Sequence, residues 1–314
     1  MKQILCVSLL LTTALVVCSL MTGCCSSGLG NLDVFSTYIS SEPSNLDPAR
    51  GVDVNEAVIQ SRIFDGLVRY NEKMELVPDL AESWEISDDG KEYIFNLRKN
   101  VKFHNGQQFT SSDVVFSLDR ILDPKVASPR TWVLEKILGA EDRMNGNSQH
   151  TEGIVALDEY KVSIKLSEAF APFLCLLTTP ACYILPCKSK DEFVNFDKPV
   201  GTGPFYVLDR VRDSYIHLAA NDNYFLGKPK VGNLFVRIIT ENLKAELEFE
   251  SDSIDVVQLY PSNYERFKAM PKYSSRITDI PALNTWYIGF NNQAQPFDNV
   301  KLRKALNLLV DREK

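Results

Sequence analysis

The chain has 314 residues, 45% of them hydrophobic and 24% charged, which supports one large or two ordinary domains and excludes wholesale disorder. With 15 Gly and 15 Pro it is neither collagen-like nor low in complexity. The formal net charge is −7 and no run of four Lys or Arg occurs, so no nucleic acid is expected as a partner.

Residues 1–23 read as a targeting signal rather than as fold. Lys2 is the only charge, residues 4–21 are apolar with only Ser and Thr as breaks, and Gly23 precedes Cys24. The end of this segment resembles a bacterial lipobox, in which the Cys24 thiol takes a diacylglyceryl group and becomes the first residue. An uncleaved anchor and plain secretion remain as alternatives. The lipoprotein reading puts the folded part in the periplasm or on the cell surface, held to the membrane by its N-terminal lipid. Cys6 and Cys18 leave with the signal, and Cys25 neighbours the lipid site. Cys175, Cys182 and Cys187 are left as either one disulfide with an odd thiol or as buried thiols. With no His nearby, their spacing suits zinc poorly, and no metal is expected.

Residues 32–39 read as a strand, β-branched and aromatic. Two prolines and three serines make residues 40–48 a loop. Residues 53–67 read as a helix opened by an Asp53/Glu56 capping box, with Val54, Ala57, Val58 and Phe64 on its buried face. A hairpin follows, turning at residues 87–90, with Tyr93, Phe95 and Leu97 alternating inward. Thr110 and Asp113 box the start of a helix whose stripe is Val114, Val115, Leu118, Ile121 and Leu122. Residues 154–166 form a second hairpin turning at Asp158-Glu159. Strands are expected at 204–211, 215–219 and 234–240, a helix at 242–250 and a strand at 254–259. The class is α/β in the broad sense, mixed α+β with long hairpins.

No catalytic constellation stands out. The three His are scattered, and no H-E-x-x-H, G-x-S-x-G or P-loop is present. His150-Thr151-Glu152 lacks the paired Cys of a zinc deaminase. Gly201-Thr202-Gly203-Pro204 reads as a tight turn, because Pro204 has no N–H to offer an anion. No catalytic residue and no cofactor is expected, and the chain is not read as an enzyme.

Several stretches together resemble the family 5 extracellular solute-binding proteins of ABC transporters, the oligopeptide- and dipeptide-binding group. They are Glu42-Pro43-Ser44-Asn45-Leu46-Asp47-Pro48 and residues 63–68, 76–84, 93–114, 201–205 and 223–229, then Asn291 with residues 296–306. The resemblance implies a periplasmic-binding-protein-like fold of two lobes with an extra domain on the first. Residues 25–66 and 187–285 would form the hinge-side lobe, 67–186 the extra α+β domain, and 286–314 the start of a second lobe. That lobe would be largely missing, because the family continues well past this point, and the chain is therefore expected to be truncated. A further departure is Asp252-Ser253, where the family has Gly before Ile254-Asp255.

The resemblance also implies the function: a lipid-anchored, monomeric solute-binding subunit that takes oligopeptides or dipeptides by backbone and termini and delivers them to the permease subunits of an ABC importer. Other readings on the same fold are a binder of nickel, haem or a glycan, and a truncated surface lipoprotein without transport. A binder of varied peptides must grip what all peptides share, the backbone and the charged ends. Ser40, Ser41, Glu42 and Ser44 match a loop that lines the family's cleft, where the acid would meet the ligand's ammonium. Gln258 and Tyr260 match ligand-facing positions, Thr285 and Trp286 the hinge crossing, and Trp132 a wall from the extra domain.

Overall fold

The computed structural model describes residues 34–187, 196–280 and 287–311. The signal segment, Cys24, Cys25, Thr285 and Trp286 lie outside the described residues. In chain order the elements are β1 (Val34–Ile39), α1 (Val54–Ile63), β2 (Val68–Tyr70), β3 (Leu76–Pro78), β4 (Ala81–Ile86), β5 (Glu92–Leu97) and α2 (Ser111–Leu122). Then come β6 (Ile154–Asp158), β7 (Lys161–Lys165), β8 (Phe205–Val211), β9 (Tyr215–Ala220), β10 (Asn233–Ile238), α3 (Asn242–Glu250), α4 (Pro261–Ala269) and α5 (Val300–Leu309). Short helical turns punctuate the rest, among them Thr131–Val133. Among the described residues no helix is long and apolar enough to cross a membrane.

The chain divides into two compact units at Val257/Gln258. In the first, β1, β10, β9 and β8 make a four-stranded sheet in that order, with β1 parallel to β10 and the other pairs antiparallel. Ile59 and Ile63 of α1 bury against Val207, Ile216, Leu218 and Val236 of this sheet. A second sheet, β4-β5-β7-β6, is antiparallel throughout. Tyr93, Phe95 and Leu97 point inward from β5 and meet Val114, Leu118, Ile121 and Leu122 of α2. Burying such a side chain contributes roughly 1.5–3 kcal/mol, so this stripe stabilises the second core. Both capping boxes form as the spacing implies, Asp53 with Glu56 and Thr110 with Asp113.

Three local readings need correction. Helix α1 ends at Ile63, and its buried positions are Glu56, Ile59, Gln60 and Ile63, while Val54 and Val58 are exposed. Glu56 turns inward in place of the valines, its carboxylate accepting hydrogen bonds from Ser44, Asn45, Val52 and Asp53. The second hairpin turns one residue later than expected, at Glu159-Tyr160. Residues 254–259 form no strand among the described residues. Asp255 instead caps the edge of β1, donating its N–H to the Ser36 carbonyl at 2.8 Å while its carboxylate accepts the Ser36 N–H at 2.7 Å. Asp252 takes φ +57°, the left-handed region that the glycine of the resemblance would occupy without strain.

The second unit has its own small core, where the Phe267 and Tyr273 rings pack 5.4 Å apart. Asn299 caps α5 by accepting the Lys301 N–H at 2.9 Å, yet no residue of α5 is buried. Its apolar stripe, Leu302, Ala305, Leu306 and Leu309, is half-exposed or exposed.

Candidate functional site

Loop 40–48 joins β1 to α1. Strands β1, β10 and β8 run in one direction, because β9 is antiparallel to both its neighbours. The loop therefore leaves from the carboxyl end of a parallel pair, the place where open α/β sheets take their ligands.

Three ion-bearing side chains fix this loop. Glu56, on the first turn of α1, accepts four hydrogen bonds: Ser44 Oγ at 2.5 Å and Asn45 N at 3.1 Å on one oxygen, Val52 N at 2.8 Å and Asp53 N at 3.0 Å on the other. Burial alone would raise its pKa, but the donors from Ser44, Asp53, Val52 and Asn45 outweigh it and hold the carboxyl below the usual range. Arg120 of α2 clasps Asp47 with both arms of its guanidinium, at 2.7 and 2.5 Å. Arg210, near the end of β8, donates through Nε and Nη2 to Glu42 and through Nη2 to the Pro43 carbonyl at 2.8 Å. Asp213 N donates to the other Glu42 oxygen at 3.0 Å.

Ser40 and Ser44 are exposed and Ser41 is half-buried, with Asn55 Nδ2 donating to Ser41 Oγ at 2.7 Å and Ser40 Oγ at 3.3 Å. Among the described residues no protein acceptor meets the backbone N–H of Ser41 or Ser44. A pocket of about 680 Å³ opens beside the loop, lined by Ser44, Asn45, Leu46, Phe196, Lys198 and Arg210 among others. Glu42, expected to meet a ligand ammonium, already accepts protein donors on both oxygens, Arg210 on one and the Asp213 N–H on the other.

Trp132 is 48% exposed on the turn Thr131–Val133. The segment before it is stitched to the chain that follows the loop: Arg130 donates to the carbonyls of Gly51 at 3.3 Å and Val52 at 3.2 Å, and Arg50 Nε donates to the Val126 carbonyl at 3.0 Å. Gln258 and Tyr260 belong to the second unit. Gln258 is exposed, and Tyr260 precedes α4, its N–H donating to Asn263 Oδ1 at 2.7 Å.

A buried cluster sits where the chain re-enters the first sheet. Thr202 and Tyr224 donate their hydroxyls to Asp65 at 2.7 and 2.9 Å. Burial pushes Asp65 up to about 6, and burial together with the charge of Asp65 pushes Asp79 up to about 8. His104 grips the adjoining turn: its Nε2 lies 3.0 Å from the Gly203 carbonyl and its Nδ1 accepts the Gly201 N–H at 3.2 Å. Only the neutral Nε2–H tautomer satisfies both contacts. Burial agrees, lowering the ring's pKa against the hydrogen bond to Gly203. The glycines are required here, since a Cβ at Gly201 would lie 2.0 Å from the Ile63 carbonyl oxygen. Cys182 is a buried thiol pushed up to about 12 by burial, and Cys175 is exposed. Among the described residues no His/Cys/Asp/Glu group is arranged to hold a metal.

Sequence reasoning missed Arg210, Arg120 and Asn55. The Glu56 capping box marked the right residue for a smaller task. A cation on the inward register of β8, opposite Ile216, was the one available sign for Arg210.

The family model described as "Bacterial extracellular solute-binding proteins, family 5 Middle" matches residues 75–314. Haem-binding protein A of Haemophilus influenzae is 30% identical over 91% of this chain and 54% of its own length. The periplasmic murein peptide-binding protein of Escherichia coli is 29% identical over 88% of this chain and 52% of its own length. The solved structure of the Escherichia coli murein tripeptide-binding protein superposes with a TM-score of 0.76 at 28% identity, covering 89% of this chain and 56% of that one. The chain thus spans about half the length of the curated relatives it matches.

Proposed function

Since the chain belongs to the bacterial extracellular solute-binding proteins of family 5, we propose that it binds peptides outside the cytoplasmic membrane, tethered through a lipid on Cys24, for delivery to the permease subunits of an ABC importer. The observation that carries this reading is loop 40–44, braced from three sides while the N–H groups of Ser41 and Ser44 stay open among the described residues. Such a backbone edge pairs with an extended peptide whatever its side chains, as a strand would. In this proposal residues 25–66 and 187–285 are the hinge-side lobe, 67–186 the extra domain and 286–314 the start of the second lobe. Trp132, Gln258, Tyr260, Thr285 and Trp286 keep the ligand-facing roles the resemblance implies.

A haem ligand is the second reading, favoured by the relative from Haemophilus influenzae. Native mass spectrometry of the full chain with a mixture of di- to pentapeptides, haem and a nickel–histidine complex separates the two. Peptide adducts are expected. Haem or nickel adducts with no retained peptide would overturn the peptide reading.

A further inference from the structure

The Glu42–Arg210 contact ties the proposed binding loop to β8. Its two side chains are only 12% and 13% exposed. Glu42 receives Arg210 Nε at 3.0 Å and Asp213 N at 3.0 Å, so each oxygen is engaged. Pro43 has no N–H, and its carbonyl, the one backbone handle left to it, takes Arg210 Nη2 at 2.8 Å. A second acid, Asp197, stands 3.9 Å from Arg210 but is 91% exposed, so it competes weakly for the guanidinium. An ammonium arriving at Glu42 would have to share a carboxylate already neutralised by a desolvated guanidinium.

We infer that Arg210 is the positioning residue of this loop, neutralising Glu42 and bracing Pro43 so that the loop meets a peptide as an uncharged backbone edge that does not read the peptide's ammonium. The ligand half of this inference rests on the peptide-binding reading above; the positioning half does not.

The test uses the full chain with Arg210→Met, Arg210→Lys and Glu42→Gln. Amide exchange at Asn45 and Asp213, whose N–H groups are held by Glu56 and Glu42, should quicken by about tenfold in Arg210→Met as the brace is lost, with a smaller effect in Arg210→Lys, which keeps the charge without the fork. Unchanged exchange would overturn the positioning role. If Arg210→Met does not fold, Arg210→Lys carries the same comparison. Calorimetry then compares trialanine with N-acetyl-trialanine. In Arg210→Met, Glu42 is released, and the preference for the free amine should rise at least about threefold, whereas a merely structural defect weakens both peptides alike. In Glu42→Gln the preference should stay at its wild-type value. A selective loss of the free-amine peptide in Glu42→Gln would show that Glu42 reads the ammonium and would overturn the inference. If wild type binds neither peptide, the peptide reading fails, and the exchange result alone decides the positioning role.

Discussion

Replacing Glu56 with Gln tests whether one helix-cap carboxylate organises the binding loop. The carboxylate serves four donors, two on each oxygen. A glutamine retains one acceptor oxygen and puts an NH2 in place of the other. Its better orientation keeps the oxygen on the Val52 and Asp53 N–H groups, because the Ser44 hydroxyl can turn and accept while those amides cannot. The Asn45 N–H is then left without its acceptor, which costs about 1–3 kcal/mol, and the two remaining bonds lose their ionic character for about 1 kcal/mol more. The expected loss is roughly 2–4 kcal/mol, a large part of a typical folding free energy of about 5–15 kcal/mol. Urea unfolding at neutral pH reads the loss, and amide exchange should place it at residues 44–53. The folded carboxyl titrates below its ordinary value, so its contribution is present above the unfolded pKa and fades as pH falls through the folded one. The gap between wild type and Glu56→Gln should therefore narrow in acid. A loss under about 0.5 kcal/mol, or a gap independent of pH, would refute the reasoning.

Other outcomes follow from the buried cluster and the leader. His104 is held neutral and titrates below its ordinary value, so stability should fall as pH drops through the unfolded imidazole value of about 6.5. Asp65 and Asp79 are raised, so their contribution is present in acid and lost as pH rises through about 6 and about 8; Asp79→Asn should flatten the alkaline side of the urea-midpoint profile, and an unaltered profile would contradict the assignment. Gly201→Ala drives a Cβ to within 2.0 Å of the Ile63 carbonyl oxygen and should cost about 3 kcal/mol or more, while Gly66→Ala, whose nearest neighbour is at 3.4 Å, should cost far less in a thermal melt. Cys24→Ala should abolish palmitate labelling in cells, and persistent labelling would move the lipid to Cys25 or remove it.

The sequence made local chemistry legible and left distant chemistry hidden. The two capping boxes, the alternation of Tyr93, Phe95 and Leu97, and the stripe of α2 each depend on neighbours within a few residues, and all appear in the structure. Helix α1 was placed with the wrong face, because its buried Glu56 works through contacts with residues up to 12 positions away, outside any helical period. The pairing of Arg210 with Glu42 spans 168 residues, and no spacing rule reaches that far. Residues 254–259 carry strand-like residues, but among the described residues they form no strand, and Asp255 meets Ser36 of β1 through a pair of hydrogen bonds. The Gly-Thr-Gly turn was legible as a turn, while its lock by His104, 97 residues away, was not.

The central claim, that the chain holds a peptide by its backbone, is tested most directly by calorimetry of trialanine against the same peptide with its amide carbonyls replaced by thiocarbonyls, titrated to millimolar concentration. Sulfur is the weaker acceptor for the Ser41 and Ser44 N–H groups, and the side chains and charged ends stay intact. The account predicts that each replacement weakens binding by about 1 kcal/mol, roughly fivefold. Equal affinity for the two peptides would contradict it.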